Sequence, residues 1–207
     1  MGLDKIPYEK MISTATNISS LGQDLSKSLQ EAWRIIESMH GQWDGDRWND
    51  VAKAFNDVET SVNELSKYVT EAFSKELGSI GTAFTAWDTG ATKEATISTA
   101  VKVQTLTATA KGTGKLTFDL DTIKSLHTNA NKTFSNSSEI VKGVANTFNG
   151  LSEWTGDTAE GYKGKINTAN NKIQKNIDDL RTEFDKAMQE ALAQYEKIQT
   201  QINSKKG

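Results

Sequence analysis

Trp43-Asp44-Gly45 and Trp154-Thr155-Gly156 each divide a pair of segments with helical apolar spacing. Aligned on the two tryptophans, the downstream segments agree in register. Trp48 falls opposite Ala159, Val51 opposite Tyr162, Phe55 opposite Ile166 and Val62 opposite Ile173. The chain therefore reads as one helix–W-x-G–helix unit written twice, and a repeat of this kind constrains the fold more than any single motif. The predicted fold is mainly α: a four-helix bundle of two antiparallel helical hairpins, with a Thr-rich β-hairpin or extended insert between them.

The stripes that support this are specific. Ile18, Leu21, Leu25, Leu29, Ala32, Ile36, Met39 and Trp43 recur at steps of three and four, the spacing of one helix face. Pro7, in the first turn, suits a helix start. After the first turn, Trp48, Val51, Phe55, Val58, Val62, Leu65, Val69 and Ala72 alternate three and four strictly, a coiled-coil-like seam. That pattern fades at Glu76, and Gly78 reads as its stop. In the second unit Ile123, Ala130, Phe134, Val141, Val144, Phe148 and Leu151 form the approach helix. The last stripe is the longest, from Ile166 through Ala169, Ile173, Ile177, Leu180, Phe184, Ala191, Tyr195 and Ile198 to Ile202. Asp46 and Asp157 are the expected helix caps, Asp157 with Glu160 as a capping box.

Residues 1–80 and 119–207 thus form the two hairpins, and residues 81–118 a Thr/Ala-rich linker. Alternation in Val101-Lys102-Val103 and in Leu116-Thr117-Phe118-Asp119-Leu120, with a glycine-rich turn candidate at Lys111–Lys115, points to a β-hairpin or a pair of extended segments. An isolated hairpin is marginal in water, so it should lean on the helices. The linker is long enough to cross the whole bundle, and Trp87 is expected to anchor it there.

Composition excludes several function classes. The net charge of −3 offers no electrostatic footprint for nucleic acid. The chain has no cysteine, so thiol, disulfide and zinc-finger chemistry is absent. Its single proline fits long helices. No transmembrane run and no secretory signal peptide is legible. His40 and His127 have no metal-ligand companion at helical spacing. Gly112-Thr113-Gly114-Lys115 fails the phosphate-loop pattern, which needs glycine where Thr109 stands and a hydroxyl where Leu116 stands. Asp44, Asp46 and Asp50 cluster without calcium-loop spacing. No Ser-His-Asp set is apparent, and neither an enzyme, a cofactor nor a metal site is expected.

The paired tripeptides, each between two long amphipathic helices, resemble the WXG100 (ESAT-6-like) family. Members are helical hairpins of about one hundred residues that travel through type VII secretion systems. The resemblance covers both halves and leaves the Thr-rich middle unexplained. It implies a secreted, non-enzymatic protein lacking a cleavable signal, cytoplasmic before export. Such a protein would be a secretion substrate, or a partner or carrier for another helical protein of the pathway. Members commonly pair as antiparallel dimers; here the two hairpins could pair internally, giving a monomer rather than a homodimer. One feature departs from the family. The Tyr-x-x-x-Asp/Glu export pattern is missing, since Tyr195 is followed at the fourth position by Gln199 and Tyr68 by Ala72.

Trp43, Gly45, Trp154 and Gly156 are the candidate site. Glycine permits the positive φ of a tight reversal, and tryptophan covers the end of the apolar seam. They act as turn plugs alone, or also contact the secretion machinery. Trp33 and Trp48 are candidates for a partner surface, with core packing the competing assignment for Trp33. Two other functions compete: an intracellular or phage-like helical assembly protein, and a membrane-acting helical toxin. Thr, Lys and Gln interrupt every apolar stretch of the middle segment, which argues against the toxin and against a membrane partner.

Overall fold

A computed structural model describes residues 5–40, 42–44, 46–108 and 117–205. Helix α1 spans Tyr8–His40 and is followed by a two-residue strand β1, Trp43–Asp44. Helix α2, Asp46–Lys67, passes through a π-helical turn, Tyr68–Phe73, into α3, Ser74–Thr89, as one continuous rod. Strand β2, Thr117–Phe118, leads into α4, Leu120–Asn149, and α5 runs from Asp157 to Ser204. The chain is thus mainly helical and folds as a bundle of four rods.

The two hairpins pack head to tail. α1 lies along α4 and α3, α4 along α5, and α5 along α2. Phe55 sits where the halves meet, its ring 4.8 Å from that of Trp33, 6.1 Å from Phe134 and 5.6 Å from Phe184. Nearly all the stripe positions are buried or half-buried. Burying one stripe of each helix against the other three is the dominant favourable term for such a fold.

The second stripe departs from its expected course after Val69. Strict heptad spacing predicts Ala72 as the next buried position, but Ala72 is exposed and Phe73 is buried. The π-helical turn absorbs one extra residue, so the apolar face resumes as Phe73 and Leu77. The helix does not stop at Gly78. It continues to Thr89 and ends on Gly90 in the left-handed conformation. Gly78 is instead a point of close approach, where a Cβ would lie 2.6 Å from that of Ala95.

Of the two arrangements expected between residues 81 and 118, a β-hairpin or extended segments, the β-hairpin does not form among the described residues. Val101–Val103 lies in an extended, unpaired segment. Thr117–Phe118 pairs antiparallel with Trp43–Asp44 of the first turn instead. The turn candidate at Lys111–Lys115 lies outside the described residues. Asp119, read as part of an alternating strand, is the N-cap of α4, its carboxylate accepting from Thr122 N at 3.2 Å.

Candidate functional site

The two W-x-G turns lie at opposite ends of the bundle, and each tryptophan is buried. In the first turn Trp43 packs edge-on against Phe118 and Trp48, with ring centroids 5.8 and 6.1 Å apart. Phe118 stacks in turn on Tyr195 of α5 at 4.6 Å, and His40 stacks on Trp48 at 5.4 Å. This chain of rings ties the end of α1, the start of α2, the entry to α4 and the far part of α5 into one plug. Gly45 and the Asp46 side chain lie outside the described residues.

In the second turn Trp154 packs on Tyr162 at 5.3 Å and Phe148 at 6.4 Å. Gly156 adopts φ 105° and itself occupies the N-cap of α5, with no side-chain cap bond. Asp157 is therefore the first helical residue and not the cap, and Glu160 pairs with Lys163 instead of closing a capping box. A carboxylate there still favours the positive end of the helix dipole. Behind Trp154, the Tyr162 hydroxyl donates to Glu76 at 2.6 Å, and Lys165 reaches the same carboxylate at 3.1 Å. Burial, followed by the Glu76 bond, pushes the Tyr162 phenol well above its ordinary value, while that hydrogen bond holds Glu76 low.

Trp33 and Trp48 are core residues, 1% and 0% exposed, so neither stands on the exposed surface of the bundle. Trp87 does not anchor the linker; it stands 83% exposed near the end of α3. The other large exposed apolar side chains are Ile198 and Ile202, at 49% and 44%. The stripe of α5 is covered as far as Met188, half-covered to Tyr195, and then runs past the end of its neighbours.

The linker takes the extended course along the helices, and what the motifs did not suggest is the set of side chains that holds it. Residues 93–107 run extended along α1 and antiparallel to the continuous α2–α3 rod, as a strap held almost entirely by side chains of the two rods. From α1, Thr16, Ser19, Ser26, Gln30 and Glu37 accept the amides of Thr96, Ser98, Val101, Gln104 and Thr107 at 2.8–3.1 Å. From α2, Asn63 holds both the N–H and the C=O of Val103, at 2.8 and 3.0 Å. Asn56 does the same for Leu106, at 2.7 and 3.0 Å. The Trp48 indole donates to Thr107 O at 2.7 Å, and Glu71 accepts from Ala100 N at 3.1 Å. Val103 and Leu106 themselves are buried.

The match is one of lengths. From Thr96 to Thr107 the strap advances about 36 Å at roughly 3.3 Å per extended residue, and α1 from Thr16 to Glu37 advances about 32 Å at 1.5 Å per residue. Two helical turns therefore serve three strap residues, which is why asparagines seven apart hold strap residues three apart. A sequence signal existed: Thr16, Ser19, Gln23, Ser26 and Gln30 make a polar stripe at the same three–four spacing as the apolar one.

Among the described residues no group of three or more His, Asp or Glu could hold a metal ion, and no helix is long and apolar enough to cross a membrane. His127 pairs with Asp185 at 2.6 Å, as part of the α4–α5 contact. No family model matches the chain, and no curated protein or solved structure is significantly similar to it.

Proposed function

We propose that the chain is a non-enzymatic, WXG100-like tandem protein, exported by a type VII pathway as a substrate or as the carrier of a helical partner. The observation that carries this reading is the placement of Trp43 and Trp154 in turns at the two ends of one bundle, each between long amphipathic helices. Head-to-tail packing of the hairpins within one chain supports a monomer, in which a dimer of hairpins has become a covalent unit with no concentration dependence. The projecting end of α5, with Ile198 and Ile202, is the surface offered to a helical partner, whose apolar stripe would extend the existing seam. Both tryptophans serve the turns first, because their rings are buried and only their edges and neighbouring backbone are left for a partner.

The test is export from a producing strain with and without its type VII ATPase. The expected outcome is tagged protein in the culture supernatant only when the ATPase is present. Protein that stays cell-associated in both strains, as large oligomers, would favour the helical assembly reading.

A further inference from the structure

The groove that α1 and the α2–α3 rod build around residues 93–107 is a receptor for extended polypeptide, and we propose that the strap is its displaceable occupant, kept in place until a peptide from another protein takes over. The partner is an extended segment with aliphatic side chains three residues apart, in the Val-x-x-Leu order of Val103 and Leu106. This stands independently of any export route.

The ligand's chemistry is visible because the groove is filled. Recognition is of the backbone: Asn56 and Asn63 each hold one residue by both its N–H and its C=O, as a neighbouring strand would. Glu59 accepts from the same Asn63 amide and fixes its orientation. Only Val103 and Leu106 are buried, while Lys102, Gln104 and Thr105 are exposed. A groove that reads backbone and two aliphatic anchors tolerates many sequences between them.

Release leaves no main-chain group stranded. The strap's bonds go to side chains in exposed or part-buried settings, so water can replace both partners. Nor does the strap fill its seat. A hollow of about 690 Å³ opens beside the contact of Ala95 with Gly78, lined by Glu94, Ile97, Ser98 and Thr99 of the strap and by Lys75, Ser79 and Thr82 of α3. A second hollow of about 390 Å³ lies where Gln104 and Thr105 pass Trp33, whose buried indole N–H has no acceptor among the described residues. A peptide with a longer acceptor side chain at that point would satisfy a group the strap leaves unpaired. Gly90, at φ 70° with open space where a Cβ would stand, is a natural pivot ahead of the strap.

The probe is a fluorescein-labelled peptide with the sequence of residues 93–108, titrated against the full chain and followed by anisotropy. Carrying Val103→Asp and Leu106→Asp, the full chain should bind it at least tenfold more tightly than the wild type does. Adding Asn56→Leu and Asn63→Leu should return binding to the wild-type level. A double variant with native helical content that binds no better than wild type would overturn the proposal. Amide exchange in the wild type is a second arm that needs no variant. The Val103 and Leu106 amides should exchange at least a hundredfold faster than those of Phe134 and Phe184. Exchange of the strap only at the rate of the bundle core would overturn the proposal even if the variant fails to fold.

Discussion

Where α4 meets α5, polar side chains bond directly across the seam; where α1 meets α2, the same kinds of side chain bond to a third piece of backbone. In the second hairpin Gln174 donates to Ser138 at 3.0 Å, Asn131 to Asp185 at 2.7 Å and Lys124 to Glu196 at 3.1 Å. In the first, Ser19, Ser26, Gln30, Asn56 and Asn63 all reach the strap. Helix pairs with apolar inner stripes and polar outer ones are therefore not bound to one spacing. α1 stays close to the π-helical turn and α3, where Gly22 and Gly81 admit near approach, and stands off from α2, where an extended segment lies between them. The intervening chain, and not the W-x-G turn, sets how far the helices of the first hairpin part.

The largest expected effect concerns what both hairpins share. Phe55→Ala should cost about 3–5 kcal/mol in urea unfolding, since the ring contacts both halves and leaves a cavity between them. Both hairpins should unfold in one transition; two separated transitions would show that they are independent domains. Next comes the difference between the strap and the seam. Leu106→Ala should cost about 2 kcal/mol, at the low end for a buried leucine, because the strap can lift, whereas Leu180→Ala within α5 should cost about 3–4 kcal/mol. Equal losses would mean that the strap is as fixed as the core.

Smaller still is the polar contrast. Asn63→Ala should cost about 1–3 kcal/mol by removing both hydrogen bonds that hold the Val103 backbone, and Gln174→Ala less than about 1 kcal/mol, because Ser138 can turn to other partners. Thermal unfolding of the two variants compares them directly. The smallest effect is a pH dependence confined to the second turn. The Tyr162 phenol is raised by burial and by its bond to Glu76, so its contribution is complete below pH about 10 and is lost as the pH rises beyond that. Tyr162→Phe should flatten the fall in melting temperature above pH about 10. Glu76, held low, contributes above the ordinary carboxylate range and loses that contribution as acid protonates it.

Much of this bundle is legible in the residues. The stripes from Ile18 to Met39, from Trp48 to Val69, and from Ile166 to Phe184 are the observed buried faces, because helix periodicity and burial are the same fact seen twice. The continuation past Gly78 was not legible: a π-helical turn shifts the register by one residue, and a glycine marks close approach as well as termination. Trp33 lies beside the main stripe of α1, a position that left core packing and a partner surface both open, and the wide face that α1 shows to α4 and α3 encloses it. The strap escaped a reading based on strands because its partners are side chains, and side-chain partners impose no alternation on the segment they hold.

Local chemistry alone determined that this chain makes long helices, where they reverse, and which face of each is apolar. Those properties depend on neighbours three or four residues away and on what glycine and tryptophan permit at a turn. Tertiary structure alone decided where the Thr-rich middle lies, which polar residues hold it, and that β2 pairs with the first turn instead of with its own linker. An extended segment has no internal hydrogen bonds of its own, so its course is settled only by the distant groups that satisfy its backbone.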